Sequence, residues 1–159
     1  MSSKTLCVLV RAAVVTVAIC GILVCCWVLP SVGKNFTISD PEYAHAYVPW
    51  LFFLWAASLP CFAILGLVWK ASIAIKQDRV FTLRTARLVK YGSVLLFCDV
   101  GFFFAGNLVF MGLGLSHPGV LLASLFADVF GISLAMLAAV LARYITKAAV
   151  LQEEADGTI

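Results

Sequence analysis

The chain has 159 residues, 64% of them hydrophobic and only 12% charged, with a formal net charge of +3. A soluble domain carries about 25% charged residues, so this composition excludes a sizeable soluble domain. The excess positive charge lies beside the apolar stretches, which argues against direct nucleic-acid binding.

Four apolar stretches run over about 6–29, 48–69, 91–115 and 120–142. Each reaches the ~20 apolar residues that a helix needs to cross a ~30 Å hydrocarbon core. The fold class read from this is all-α: one multi-pass membrane domain over 1–159, built as an antiparallel bundle of four transmembrane helices. Between spans two and three, the segment 70–90 carries Lys70, Lys76, Arg79, Arg84, Arg87 and Lys90 against a single acid, Asp78. Lys4 and Arg11 at one end and Arg143 and Lys147 at the other fall on the same side, leaving Lys34 alone opposite. Short loops rich in Lys and Arg stay cytoplasmic. Both termini are therefore expected in the cytoplasm and the chain in the cell membrane.

The first stretch is span-length and no A-x-A site follows in 27–33, so it reads as an uncleaved span. Pro30 is expected to stop that helix. An outer loop, 31–47, follows as the longest non-helical piece, with a short helix starting at Asp40-Pro41-Glu42. Tyr43, Tyr47 and Trp50 suit an interfacial belt leading into span two. Pro60 lies inside span two and is expected to kink it.

The helix of span two continues past the membrane through Lys76, and the tail over 143–154 extends span four in the same way. After a turn at 77–81, Thr82 is placed to cap the next helix. Arg84, Arg87 and Lys90 then share a face toward anionic headgroups. Ile73, Val80 and Phe81 are expected to pack under the bundle. Ser116-His117-Pro118-Gly119 makes spans three and four a tight hairpin.

The six cysteines form no C-x-x-C pair and read as small buried apolar residues. Cys25 and Cys26, near the outer end of span one, are placed where they could meet oxidant or, in a homo-oligomer, each other's copies.

Ionisable groups within spans cost roughly 2.5–3.5 kcal/mol each and normally face the bundle interior. Asp99 and Asp128 are the two acids so placed, with Asn107 at a depth close to that of Asp128. Gly92, Asp99 and Gly106 share one face of span three. Ser124, Asp128, Gly131, Ala135 and Ala139 are read as one face of span four, and the two stripes as facing each other. Arg11 is about 10 Å into span one on the helical rise, a depth that allows it to pair with Asp99. This intramembrane set reads either as interhelical hydrogen bonding or as a site for a proton or cation.

Two stretches carry a family resemblance. Ile75-Lys-Gln-Asp-Arg-Val-Phe-Thr82, followed by Ala86-Arg-Leu-Val-Lys-Tyr-Gly92, resembles the inner segment of the bacterial domain-of-unknown-function family 2975. The ending Ala149-Val-Leu-Gln-Glu-Glu-Ala-Asp-Gly-Thr-Ile159 is similar to that family's tail, although Gly157 stands where an apolar residue is expected. The resemblance implies a small four-span protein of the bacterial inner membrane with no assigned enzyme activity. It also implies, by gene neighbourhood, a small helix-turn-helix regulator as partner.

No G-x-S-x-G, H-E-x-x-H, Walker or haem motif occurs, so no enzyme, cofactor or metal is expected. The expected role is non-enzymatic docking of a cytoplasmic partner on Lys76, Arg79, Phe81, Thr82, Arg84 and Arg87, with Glu153, Glu154 and Asp156 of the tail. The competing role is a small transporter or ion-binding protein using Asp99 and Asp128.

Overall fold

Long apolar runs become long helices, because in lipid every backbone N–H and C=O must find its partner within the segment. The computed structural model describes residues 3–39, 41–76 and 80–156, with the side chain of Asp156 left out. Helix α1 covers Ser3–Leu23, a π-helical turn Val24–Val28, and α2 Leu29–Ser39. A 3-10 helix, Pro41–Ala46, leads into α3, Tyr47–Lys76. Then come α4, Leu83–Gly112, and α5, Pro118–Asp156. No strand occurs among the described residues. Four helical stretches are long and apolar enough to cross a membrane, so the chain is an all-α, multi-pass membrane protein.

The first stretch differs from its sequence reading. Pro30 does not stop the helix, and the piece expected as an outer loop is helical through Ser39. The cause is the π-turn just before it. A proline inside an α-helix clashes with the carbonyl four residues back, and a π-turn relaxes that spacing. Leu29 donates its N–H to the carbonyl of Val24, five residues back. The next donor at that spacing would be Pro30, which has none, and Trp55 Nε1 of α3 supplies the missing bond to the carbonyl of Cys25 at 2.9 Å. The continuous helix Ser3–Ser39 has 37 residues, about 55 Å at the helical rise. It therefore exceeds the hydrocarbon core, and α2 extends past the end of the spans. Asp40, the expected cap, lies outside the described residues, while the short helix after it is present from Pro41.

Helix α3 continues through Pro60 and ends at Lys76, as its apolar run and basic end suggest. Of the turn expected over 77–81, residues 77–79 lie outside the described residues. Thr82 caps α4: its hydroxyl accepts from the Thr85 N–H at 3.3 Å, with the backbone extended at φ −129° and ψ 151°. At its other end α4 stops earlier than the apolar run, which continues to Leu115. Gly114 adopts φ +70°. The Leu115 N–H then bonds the Phe110 carbonyl at 2.9 Å, and the Gly114 N–H bonds that of Met111 at 3.2 Å. That pair of bonds is a Schellman closure. It turns the chain through Ser116 and His117 into α5.

Each long helix packs on its neighbour in chain order: α1 on α3, α3 on α4, and α4 on α5. The α4–α5 pair is the most extensive. The buried positions of α5 are Ser124, Asp128, Ala135, Ala142, Ile145 and Ala149. Their spacings of three, four and seven are those of a left-handed helix pair. Small side chains make this approach close. A Cβ on Gly131 would stand 2.6 Å from Val100 Cγ2. Ala139, read from the sequence as part of this stripe, is instead exposed, and Ala138 is half-buried in its place. Most remaining large apolar side chains face outward, among them Trp27, Phe126 and Leu137 at 72%, 79% and 66% exposure. Such an exterior suits lipid.

Candidate functional site

Two adjacent stripes on α4 divide its neighbours. One runs Gly92, Asp99, Gly106 and faces α3: Gly92 approaches Leu67, Asp99 meets Cys61, and a Cβ on Gly106 would overlap the Phe53 ring. The other runs Ser93, Val100, Asn107 and faces α5. There Ser93 Oγ donates to the Ala135 carbonyl at 2.8 Å and Val100 fits over Gly131. The sequence reading set the Asp99 stripe against α5. The structure turns it by one residue, about 100° around the helix, and gives it to α3.

The intramembrane set is therefore split. Cys61 Sγ donates to Asp99 Oδ2 at 3.6 Å, and Asp99 Oδ1 is buried without a partner. Arg11 does not pair with Asp99. Its Nε donates to Ser72 Oγ at 3.0 Å, and its guanidinium lies 4.9 Å from the centre of the Trp69 ring. Ser72 is fully buried; it passes its own proton to the Trp69 carbonyl at 2.7 Å, and its carbonyl accepts from Cys7 Sγ at 3.3 Å. The cation of span one is thus held by a hydroxyl and an aromatic face near one end of α1 and α3.

Asn107 and Asp128 lie in the α4–α5 seam, at 1% and 5% exposure. Asn107 Nδ2 donates back to the Phe103 carbonyl at 2.8 Å, and Ser124 Oγ to that of Leu121 at 2.8 Å. Both polar side chains thus bond their own helix. Asn107 Oδ1 and Asp128 Oδ2 stay buried without a partner. Counting in antiparallel register from Val100 and Gly131, Asn107 falls level with Ser124, one turn from Asp128. Among the described residues no group of His, Cys, Asp and Glu forms a metal-binding cluster.

The polar end of the bundle presents a second candidate surface. Lys76, Arg84 and Arg87 are exposed, and Thr82 is half-buried in its cap. Phe81 is 55% exposed and Ile73 44%. Neither is packed under the bundle as the sequence suggested: Ile73 lies on the outward face of α3, and Phe81 lies just before α4, outside the helix contacts. Glu153 and Glu154 are exposed on the last turns of α5. Arg79 lies outside the described residues, as does the side chain of Asp156.

A family model described as a protein of unknown function, DUF2975, matches residues 31–159. The chain belongs to the DUF2975 family. No curated protein and no solved structure matches it. The DUF2975 match takes in Asp99, Asn107, Asp128 and the whole basic bend, and it begins beyond Arg11 and Cys7. The sequence reading missed Cys61, Trp69 and Ser72 as partners. Seen alone, a cysteine or serine inside an apolar run carries no sign of which neighbour it will meet. Trp69 next to Lys70 at the end of span two was the one available signal, an aromatic at interface depth.

Proposed function

We propose that this DUF2975 protein is a non-enzymatic protein of the bacterial inner membrane that docks a cytoplasmic protein on the bend between α3 and α4. The resemblance noted in the sequence suggests the partner class, a small helix-turn-helix regulator. The observation that carries the reading is Phe81, an aromatic more than half exposed and set among exposed Lys76, Arg84 and Arg87. An aromatic anchor ringed by charge is the usual make-up of a binding hot spot. The basic side chains steer encounter, and Glu153, Glu154 and Asp156 of the α5 tail add charge of the opposite sign. Thr82 completes the described part of the surface, and the sequence adds Arg79 to its positive charge.

The test is capture of the co-expressed regulator by the detergent-solubilised protein. Phe81→Ala is expected to reduce capture at least tenfold with membrane insertion unchanged, and an Arg84/Arg87 double replacement to make capture weaker and less salt-dependent. Undiminished capture by both variants would leave the basic bend as a lipid-contacting surface only.

A second reading has its own support. Asn107 Oδ1 and Asp128 Oδ2 in the α4–α5 seam, and separately Asp99 Oδ1 on the face toward α3, are buried acceptors without donors, as sites for a proton or cation require. It predicts a cation-dependent rise in thermal stability that is lost on Asp128→Asn.

A further inference from the structure

The Asn107 amide and the Asp128 carboxyl lean toward each other across the α4–α5 seam. Val100 packs over Gly131, and in antiparallel register from that contact Phe103 falls level with Asp128. Asn107 starts one turn further along α4. Its Nδ2 bonds the Phe103 carbonyl at 2.8 Å, which brings the amide back toward the level of Asp128. Helical side chains lean toward their own N-terminus, so in this antiparallel pair the Asp128 carboxyl leans the opposite way, toward Ser124 and the level of Asn107. Both side chains are more than nine-tenths buried, and Asn107 Oδ1 and Asp128 Oδ2 are two acceptors with no donor. Buried oxygens of this kind are uncommon and call for a partner.

The seam also lacks a counter-charge for a carboxylate. Helix α4 is the element packed against α5. Its facing stripe, Ser93, Val100 and Asn107, has no ionisable side chain; Asp99 meets Cys61 of α3, and Tyr91 and Cys98 are exposed. On α5, Asp128 is the one ionisable residue between His117 and Arg143, and Arg143 is about 22 Å away at the helical rise. An unpaired charge at such a depth is costly. The nearby hydroxyls have no proton to spare. Ser124 Oγ donates to the Leu121 carbonyl at 2.8 Å, and Ser93 Oγ to that of Ala135 at 2.8 Å. A hard metal cation takes about six or more oxygen ligands, and one amide oxygen with one carboxylate falls well short. A proton meets both needs at once: it cancels the charge and turns Asp128 Oδ2 from an acceptor into a donor.

Resting on the second reading above, we infer that the α4–α5 seam takes a proton and not a metal cation, held on Asp128 Oδ2 and donated to Asn107 Oδ1. The proton comes from water, and the Asp128 carboxylate becomes a neutral acid that ties α5 to α4. Its loss returns a negative charge to the seam and removes the one side-chain hydrogen bond between these two residues.

The experiment takes the full chain in detergent, grown with aspartate carrying carbon-13 in its side-chain carboxyl, and records the infrared spectrum at neutral pH. In an Asp99→Asn variant the labelled residues are Asp128 and the aspartates that flank the spans, Asp40, Asp78 and Asp156. The carbonyl band of a protonated acid is expected, abolished when Asp128→Asn is added and shifted by Asn107→Leu, which removes the acceptor. If Asp99→Asn does not melt as the parent does, the difference between the parent and Asp128→Asn isolates the same band. Thermal unfolding is the second readout. Asp128→Asn should melt no lower than the parent, because its amide donates where the acid did, whereas Asp128→Leu, with no donor, should melt lower. The parent should lose stability relative to Asp128→Asn as pH rises, since a proton bound by the folded pair stabilises it by mass action. Absence of a protonated-acid band from Asp128 overturns the inference, as does a band that Asn107→Leu leaves unshifted or an Asp128→Asn variant that melts well below the parent. With no such band, a rise in melting temperature on adding sodium or potassium at constant pH, lost in Asp128→Asn, would keep the site and make its ligand a metal cation. With neither, the second reading falls as well.

Discussion

Trp55 completes the backbone bond that Pro30 cannot make. Its indole N–H reaches across from α3 to the Cys25 carbonyl at 2.9 Å, where the π-turn Val24–Val28 has left an acceptor without its next donor. One side chain on the second span thereby allows the first to run unbroken past a proline. It also fixes how the two helices meet.

The relationship makes a direct prediction. Trp55→Phe leaves a carbonyl unpaired in a region with little water, at a cost of about 1–3 kcal/mol. In a Pro30→Ala background, residue 30 regains its own N–H and the same change should cost less. A double-mutant cycle measured by unfolding in detergent is expected to give a coupling of at least about 0.5 kcal/mol. Additive effects would mean that the indole and the proline act independently.

The glycines of α4 and α5 are separable in the same way. A Cβ at Gly106 would overlap Phe53, and one at Gly131 would press on Val100. Overpacking of this kind costs about 1–3 kcal/mol. At Gly101, on the same helix as Gly106, an added methyl would meet nothing within 4 Å. Gly101→Ala should be neutral or stabilising by up to about 1 kcal/mol through helix propensity. Thermal unfolding of the three alanine variants should separate Gly101 from the other two.

Which parts were legible follows from what each signal encodes. Span number and the extended ends of α3 and α5 come from composition along one helix, and composition is what a sequence carries. The Thr82 cap is equally local. Pro30 misled because its usual effect depends on the preceding turn, and the π-turn is set by a contact with Trp55 on another helix. The stripe through Asp99 was seen as a stripe but given the wrong neighbour. Residues 99 and 100 are one position apart, and the choice between facing α3 and facing α5 rests on the large Phe53 ring fitting over Gly106. Arg11 was matched to Asp99 by depth alone. Depth does not say which face of α1 meets which helix, and Ser72 with Trp69 lay closer.

That last difference can be measured. Arg11 and Ser72 share a hydrogen bond, so a cycle of Arg11→Met and Ser72→Ala should show coupling of about 0.5–3 kcal/mol. A cycle of Arg11→Met with Asp99→Asn should be additive within about 0.5 kcal/mol. Arg11→Lys is expected to behave more like the methionine variant than like the parent. An ammonium keeps the charge but loses the planar contact with Trp69 and the Nε geometry toward Ser72. Strong coupling between Arg11 and Asp99 would restore the ion pair that depth alone suggested.

The orientation of the bundle is the remaining prediction, and charge alone argues it. The four spanning stretches put both termini at one end, because each crossing reverses direction. That end carries every basic residue except Lys34. Lys and Arg near short loops hold that side in the cytoplasm. A cytoplasm-active reporter fused after Ile159 should therefore be active. A reporter active only on the far side should work when inserted near Asp40, between α2 and the 3-10 helix. The driving charges are also identifiable. Neutralising Lys70, Lys76, Arg79, Arg84, Arg87 and Lys90 together leaves four basic residues, Lys4, Arg11, Arg143 and Lys147, to face Lys34. Adding four lysines to the exposed outer turns of α2 should then give mixed or inverted topology. The same four lysines in the parent, with its basic bend intact, should leave the C-terminal reporter in the cytoplasm. An outside C-terminus in the unmodified protein would reverse the assignment of both ends, and with it the side on which the proposed docking surface lies.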